Sequence, residues 1–326
     1  MLKNRFEMKE IKRLKDNTPL MIMLIGLPGS GKSTYAKSIT VSGNKPRIHS
    51  LDSLRKEFYG DEGAQGNNNE LFCELHKRIK TDLIAGKDVV YDATNIKKKL
   101  RMQFLNELKN ISCTPICLCM MTSYETCIMN NENRERKVPE EVIHRMLLNY
   151  QPPHYSEGFE DIKYIFSPLD EFDDRFDIGT FFKVANDFDQ ENSHHALTLG
   201  EHCYKAATYI KEYCSENFPL YIAALLHDNG KLHTKTKTNA QGVEDGGCHY
   251  YQHHSYGAYE CSFYLYYAKQ FTEQEMTYIA NIIYYHMHPY LQWKQSEKAL
   301  AKDKELLGER LFKDIMLLHD ADLYAH

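Results

Sequence analysis

The chain has 326 residues, 42% of them hydrophobic and 26% charged, the balance of a soluble globular protein with room for two domains of ordinary size rather than one small core. A net charge of -5 gives no sign of a surface built throughout for nucleic acid, although a basic groove can sit on an acidic protein. The longest apolar stretch, residues 20–27, is too short to span a membrane.

The opening, residues 2–16, is charged and amphipathic rather than apolar, unlike a signal peptide. From there to residue 167, short apolar runs alternate with longer helical stretches. Residues 20–25, 89–91, 116–120 and 162–166 read as strands, with a further strand at 47–49; 35–39, 69–85, 98–108 and 140–149 read as helices. This alternation predicts an α/β domain, a parallel sheet with helices on both faces. Residues 60–69, rich in Gly and Asn, read as a mobile loop. Residues 168–192 are acidic and broken by Pro and Gly; they read as a linker with partial structure around Phe172, Phe176, Phe181 and Phe182. Beyond it, 202–213, 220–226, 256–267, 273–285 and 313–324 predict helices and an all-α second domain, 193–326. Nine cysteines include no C-x-x-C pair, and Cys113, Cys117 and Cys119 lie in a buried-strand pattern. Reduced core thiols in a cytoplasmic protein are expected, with no membrane partner.

Residues Gly26-Leu27-Pro28-Gly29-Ser30-Gly31-Lys32-Ser33-Thr34 contain G-x-x-x-x-G-K-[ST]. The glycines let backbone N–H groups converge on phosphate oxygens; Lys32 reaches the terminal phosphates, and Ser33 ligates Mg²⁺. From average composition a chance match in a chain of this length is on the order of 1%, and the preceding strand and following helix strengthen the reading. ATP, or another nucleoside triphosphate, with Mg²⁺ is the expected ligand. A phosphate loop does not name its acceptor. Asp52, just after the 47–49 strand, falls at the sheet edge where ligands gather. It could take a proton from an attacking hydroxyl, with Arg55 holding an anionic acceptor; a helix N-cap and a surface arginine fit the same pattern. Asp92 ends the next strand and could orient an arginine or a metal-bound water, while Thr94 and Asn95 could cap the following helix. Arg134 and Arg136 lie on a short segment able to close over a transferring phosphoryl group, or to form a solvated basic face.

These pieces resemble the kinase domain of the polynucleotide kinase family over residues 20–167: the GLPGSGKST loop, Asp52 with Arg55, the YDATN strand end, the arginine-rich segment leading into VPEEVI, and Pro152-Pro153 followed by Glu157-Gly158-Phe159. The resemblance implies that Asp52 is general base on a 5′-hydroxyl, that Arg55 holds the neighbouring nucleic-acid phosphate, and that Lys32 and the lid arginines stabilise the transferred group. Relatives often carry an additional arginine where this chain has Asn130-Asn131, which leaves open which of Arg134 and Arg136 acts.

The histidines are unevenly spread. Of 16, 12 lie at or beyond His194, which points to metal chemistry in the second half. His227 and Asp228 follow an apolar run and precede Gly230-Lys231; His202 and Asp322 could complete a ligand set from separate helices, and His249, His253, His254, His286 and His288 offer ligands for a second ion. Imidazole with carboxylate suits Mn²⁺, Fe²⁺, Co²⁺ or Ni²⁺. Two such ions can generate hydroxide and clamp a phosphoester, with Lys231 steadying a phosphate oxygen. TLGEH ending at His202, ALLHDNGK ending at Lys231, HYYQH ending at His253 and His319-Asp320-Ala321-Asp322 resemble the HD phosphohydrolase superfamily, most of all the HD domain attached to bacterial tRNA nucleotidyltransferases. The resemblance implies His202, His227, Asp228 and Asp322 as core metal ligands and His253 and His286 as second-metal ligands, with Asp320 and His254 as alternatives.

The pairing resembles bacterial bifunctional enzymes that heal broken nucleic-acid ends. It implies a kinase for 5′-hydroxyl ends of single-stranded RNA or DNA, a phosphoesterase for 2′,3′-blocked ends, and a nucleic-acid ligase as partner. Lys97, Lys98, Lys99 and Arg101 could contact the strand or form a solvated helix face. The alternative is a small-molecule kinase fused to an HD nucleotidase in nucleotide metabolism.

Overall fold

The computed structural model describes residues 10–15, 17–62, 64, 66–170, 173–191 and 197–326; the opening 2–9, Phe172 and His194 lie outside the described residues. Two compact units emerge, Met1–Met146 with Glu157–Phe172, and Leu147–Ser156 with Asp173–His326.

The first unit is an α/β layer structure. Strands β1 (Glu10–Ile11) and β3 (Thr40–Val41) form a small parallel pair. The main sheet holds β2 (Leu20–Ile25), β4 (Arg47–Ser50), β5 (Val89–Asp92), β6 (Thr114–Met121) and β7 (Asp161–Phe166), in the order β4-β5-β2-β6-β7, all parallel. β2 is buried at all six positions, as expected of a central parallel strand covered on both faces. Its Leu20, Ile22 and Leu24 join Tyr35, Ala36 and Ile39 in a core with Val90, Ile116 and Leu118. Chain order reverses about β2, because β4 and β5 lie on one side and β6 and β7 on the other. Such a reversal leaves a crevice at the strands' C-terminal ends. The helices are α1 (Lys32–Ser38), α2 (Leu51–Tyr59), α3 (Asn68–Ile84), α4 (Lys98–Glu107), α5 (Tyr124–Glu132) and α6 (Glu140–Leu147).

The second unit contains α7 (Ile178–Asn186), α8 (Leu199–Tyr213), α9 (Phe218–Leu226), α10 (Lys231–Thr234), α11 (His253–Ala268), α12 (Glu273–Tyr285) and α13 (Glu297–Ala325). α11 is buried at every position from His253 to Leu265, which makes it the helix around which the others pack. α13 is interrupted at Gly308 (φ 74, ψ 167). Within 168–192, Phe176 stacks on Phe263 at 4.7 Å and Phe181 of α7 meets Tyr264 edge-on at 5.8 Å, so aromatic anchors hold this acidic stretch. Residues 147–156 belong to the same packing: Asn281 Nδ2 donates to the Pro153 carbonyl (2.9 Å) and Gln151 Nε2 to the Tyr284 hydroxyl (2.7 Å).

The unit is helical but not all-α. β8 (Lys235–Thr238) and β9 (Glu244–Tyr250) form an antiparallel hairpin. Its strands are mostly polar and only partly buried, so they carry no apolar alternation of the kind that marks a strand in sequence. Two cysteine positions also divide: Cys117 and Cys119 are buried on β6, whereas Cys113 precedes the strand and is partly exposed. No helix among the described residues is long and apolar enough to cross a membrane.

Two candidate active sites

The phosphate loop joins β2 to α1 at the crevice. Gly29 (φ 83) and Gly31 (φ 84) adopt the left-handed backbone that glycine permits. At Gly29 space is closed as well: a Cβ would stand 2.1 Å from the Cys127 carbonyl oxygen. Gly26 N–H donates to the Thr94 carbonyl (3.1 Å), and Asn95 Nδ2 donates to the Leu24 carbonyl (2.9 Å). The end of β5 thus braces the loop. α4 is N-capped by Lys97 without a side-chain bond, so Thr94 and Asn95 do not cap it. Lys32 lies on the loop, its Nζ donating to the Leu27 carbonyl (2.6 Å) and reaching Ser30 Oγ (3.3 Å). Burial lowers the Lys32 pKa, partly offset by the nearby Asp92 carboxylate. Ser33 and Thr34, in the first turn of α1, are exposed.

Asp52 sits in the first turn of α2, and the N-cap is Ser50, whose side chain accepts from Ser53 N–H. The capping alternative for Asp52 is therefore overturned. Arg55 Nη1 donates to Asp52 Oδ1 at 2.9 Å, and Arg136 Nη1 donates to the same oxygen at 2.7 Å; Arg55 Nη2 also reaches Asn68 Oδ1 (3.1 Å). Of the lid arginines, Arg136 meets Asp52, while Arg134 contributes its charge at Lys32. Asn130 and Asn131, at the end of α5, take parts not foreseen from sequence. Asn130 Nδ2 donates to the Gly29 carbonyl (3.0 Å). Asn131 exchanges two bonds with the Val138 backbone (2.8 and 2.9 Å), closing the base of the arginine-bearing loop.

Arg101 is not a strand contact. Its guanidinium is fully buried and grips Glu157 with two bonds of 2.7 Å, while Nη1 donates to the Asn95 carbonyl (3.0 Å). Lys97 and Lys99 remain exposed.

In the second unit, α8, α9, α11, α12 and α13 converge on one buried cluster. His202 Nε2 lies 3.2 Å from His227 Nε2, 3.4 Å from Asp228 Oδ2 and 3.0 Å from Asp322 Oδ1. His253 Nε2 lies 3.2 Å from His286 Nε2 and 3.1 Å from Asp228 Oδ1. Two half-sites result, and the Asp228 carboxylate bridges them, one oxygen to each. His227, His253 and His286 share one device: each Nδ1–H donates to the carbonyl three residues earlier, Ala224 (2.8 Å), Tyr250 (2.7 Å) and Ile283 (2.6 Å). In the neutral ring this bond leaves Nε2 with a bare lone pair aimed inward. Two such lone pairs 3.2 Å apart, as in His253 and His286, repel unless a cation lies between them, so the donor set fits divalent metal. Burial pushes the Asp228 carboxyl up, but positive charge beside it, foremost the Lys231 ammonium, holds it well below the usual carboxylate range. Lys231 is committed: Nζ donates to Asp228 Oδ2 (2.7 Å) and Gln190 Oε1 (2.8 Å).

The other histidines offered for a second ion stand apart. His249 belongs to the hairpin and pairs with Asp245 (2.9 Å). His288 packs against Tyr285 and Trp293. His254 is buried with its ring edge-on to His253, and neither it nor the exposed Asp320 belongs to the two ligand groups among the described residues. The close approach of the two half-sites rests on glycine. A Cβ on Gly230 would lie 2.1 Å from the His253 carbonyl oxygen, and one on Gly257 would lie 2.2 Å from Asn229 Oδ1. The HDNGK and HHSYGA segments are thus two sides of one contact.

Comparison with known proteins finds two family models along the chain. Residues 21–153 match the family model described as AAA domain, and residues 199–325 the one described as HD domain. The chain joins a parallel-sheet α/β unit with a phosphate loop to a helical unit that matches the HD domain model. It is 25% identical over 248 residues to protein KTI12 of Saccharomyces cerevisiae, covering 69% of this chain and 78% of that protein. It is 27% identical over 144 residues to L-seryl-tRNA(Sec) kinase of Methanococcus maripaludis, covering 41% of this chain and 53% of that protein, so it spans about half the length of that relative. A solved gluconokinase from Sinorhizobium meliloti aligns over 46% of this chain and 85% of its own, with 17% identity and a TM-score of 0.33, too low a likeness to bear on fold or function. A P-loop kinase fold implies ATP with Mg²⁺, and HD domains bind divalent metals.

Proposed function

We propose that the protein is a bifunctional end-healing enzyme: an ATP-dependent kinase for the 5′-hydroxyl of an RNA or DNA end, joined to a metal-dependent phosphoesterase that removes a 2′,3′-cyclic phosphate or phosphate. The observation that carries the kinase half is Asp52 at the sheet edge beside the phosphate loop, with Arg55 and Arg136 both on its carboxylate. Asp52 takes the proton as the hydroxyl oxygen attacks. Arg55 orients the acceptor through its phosphate, and Lys32 with Arg134 and Arg136 neutralises charge on the group in flight. A relative named for acting on a seryl-tRNA supports an acceptor hydroxyl borne by RNA.

In the second unit His202, His227, Asp322 and one oxygen of Asp228 would hold one divalent ion, and His253, His286 and the other oxygen of Asp228 a second. Bound there, Mn²⁺, Fe²⁺, Co²⁺ or Ni²⁺ would supply an activated hydroxide and a clamp on the phosphoester oxygens. Lys231 fixes the bridging carboxylate.

The test is incubation of a 5′-hydroxyl RNA oligonucleotide ending in 2′,3′-cyclic phosphate with labelled ATP, Mg²⁺ and Mn²⁺, following both ends. Label at the 5′ end, lost in Lys32→Ala, and opening of the cyclic phosphate, lost in Asp228→Ala, are expected. Transfer to free nucleosides and none to the oligonucleotide would replace this reading with nucleotide metabolism.

A further inference from the structure

Asp322 has two oxygens with different surroundings. Oδ1 faces the first half-site, 3.0 Å from His202 Nε2 and 3.7 Å from His227 Nε2. Oδ2 accepts a hydrogen bond from the Tyr290 hydroxyl at 2.8 Å. Tyr290 belongs to a five-residue π-helix, Pro289–Trp293, a rare geometry that is frequent at functional sites. The turn is held at its far end by Trp293, whose Nε1 donates to Asp303 Oδ2 (3.1 Å). The Tyr290 ring packs edge-on against His319 at 4.4 Å, one turn before Asp322 on α13. The same segment begins just after His286, a member of the second half-site.

We propose that Tyr290 is a positioning residue for the HD centre: its hydroxyl occupies Asp322 Oδ2 and so turns Oδ1 toward the first half-site. Without that bond the carboxylate can rotate about its last torsion, which is broad and roughly two-fold, and the half-site loses a defined fourth donor. Outer partners of this kind change metal affinity by about 10- to 100-fold. The inference rests on the metal reading above and goes beyond it by assigning a residue outside the ligand set.

The experiment is Mn²⁺ titration of the full-length protein and of Tyr290→Phe, read by electron paramagnetic resonance and by metal content after gel filtration. The substitution removes one oxygen and keeps the ring. Two Mn²⁺ per wild-type chain with an exchange-coupled spectrum are expected. In Tyr290→Phe, one ion should bind with unchanged midpoint and the other about 10- to 100-fold more weakly, giving an isolated six-line Mn²⁺ signal at intermediate concentrations. His319→Ala, which removes the packing partner and not the hydroxyl, serves as a second variant and should weaken the same ion less. Wild type and Tyr290→Phe filling with identical midpoints would overturn the inference alone. A wild-type protein that holds no Mn²⁺ would overturn the metal reading with it.

Discussion

Asn95 holds a left-handed backbone (φ 47), uncommon for a residue with a side chain, because both of its polar ends are used: the amide pins the Leu24 carbonyl and the backbone carbonyl receives Arg101. The buried Arg101–Glu157 pair therefore stands directly behind the phosphate loop. Arg101→Met leaves the Glu157 carboxylate buried without its guanidinium, which costs about 3–5 kcal/mol; urea unfolding should show that loss, and Arg101→Met/Glu157→Leu should recover part of it. At Gly29 an added methyl meets backbone at 2.1 Å. Gly29→Ala should weaken ATP binding about 5- to 150-fold, from about 1–3 kcal/mol of strain, as measured by calorimetric titration. The phosphate loop was legible because its chemistry demands consecutive residues. Arg101 was not: in sequence it ends a lysine-rich run that reads as a contact to a nucleic-acid strand or as a solvated face, and only its position on α4 turns it inward.

At the scale of elements, the two half-sites exist because α10 and α11 approach through Gly230 and Gly257. Gly230→Ala must displace the His253 carbonyl, so His253 should move off Asp228. The expected outcome is a lower unfolding temperature together with loss of one bound Mn²⁺, whereas Gly247→Ala, whose Cβ would meet nothing nearer than 4.0 Å, should change no metal content. The six candidate ligands could be named from sequence because HDNGK and HHSYGA resemble a known pattern. The contact gives that pattern a physical reason: each glycine is small for the sake of the other segment. The hairpin β8–β9 and the π-turn at Tyr290 left no trace in periodicity, since one is mostly polar and the other is five residues long. The α/β alternation, by contrast, was legible from β2 onward, because strands buried on both faces are written as unbroken apolar runs.

At the scale of the whole molecule, each unit encloses its own core and its own candidate chemistry. The two sites are expected to work independently: Asp228→Ala should leave kinase turnover unchanged, and a substantial fall in a variant that remains folded would refute this. Calorimetry should resolve a transition that a chelator shifts downward, since metal bound only by the folded HD unit stabilises that unit alone, and another that the chelator leaves in place.

The chain passes from the first unit to the second at residue 147, returns at 157 and leaves again at 173. The two units are therefore stitched rather than strung together. A gene fragment beginning at residue 193 omits Gln151, Pro153, Phe176, Phe181 and Gln190, which bond or pack with Tyr284, Asn281, Phe263, Tyr264 and Lys231. Such a fragment should express as insoluble material, since neither unit is one unbroken stretch of chain.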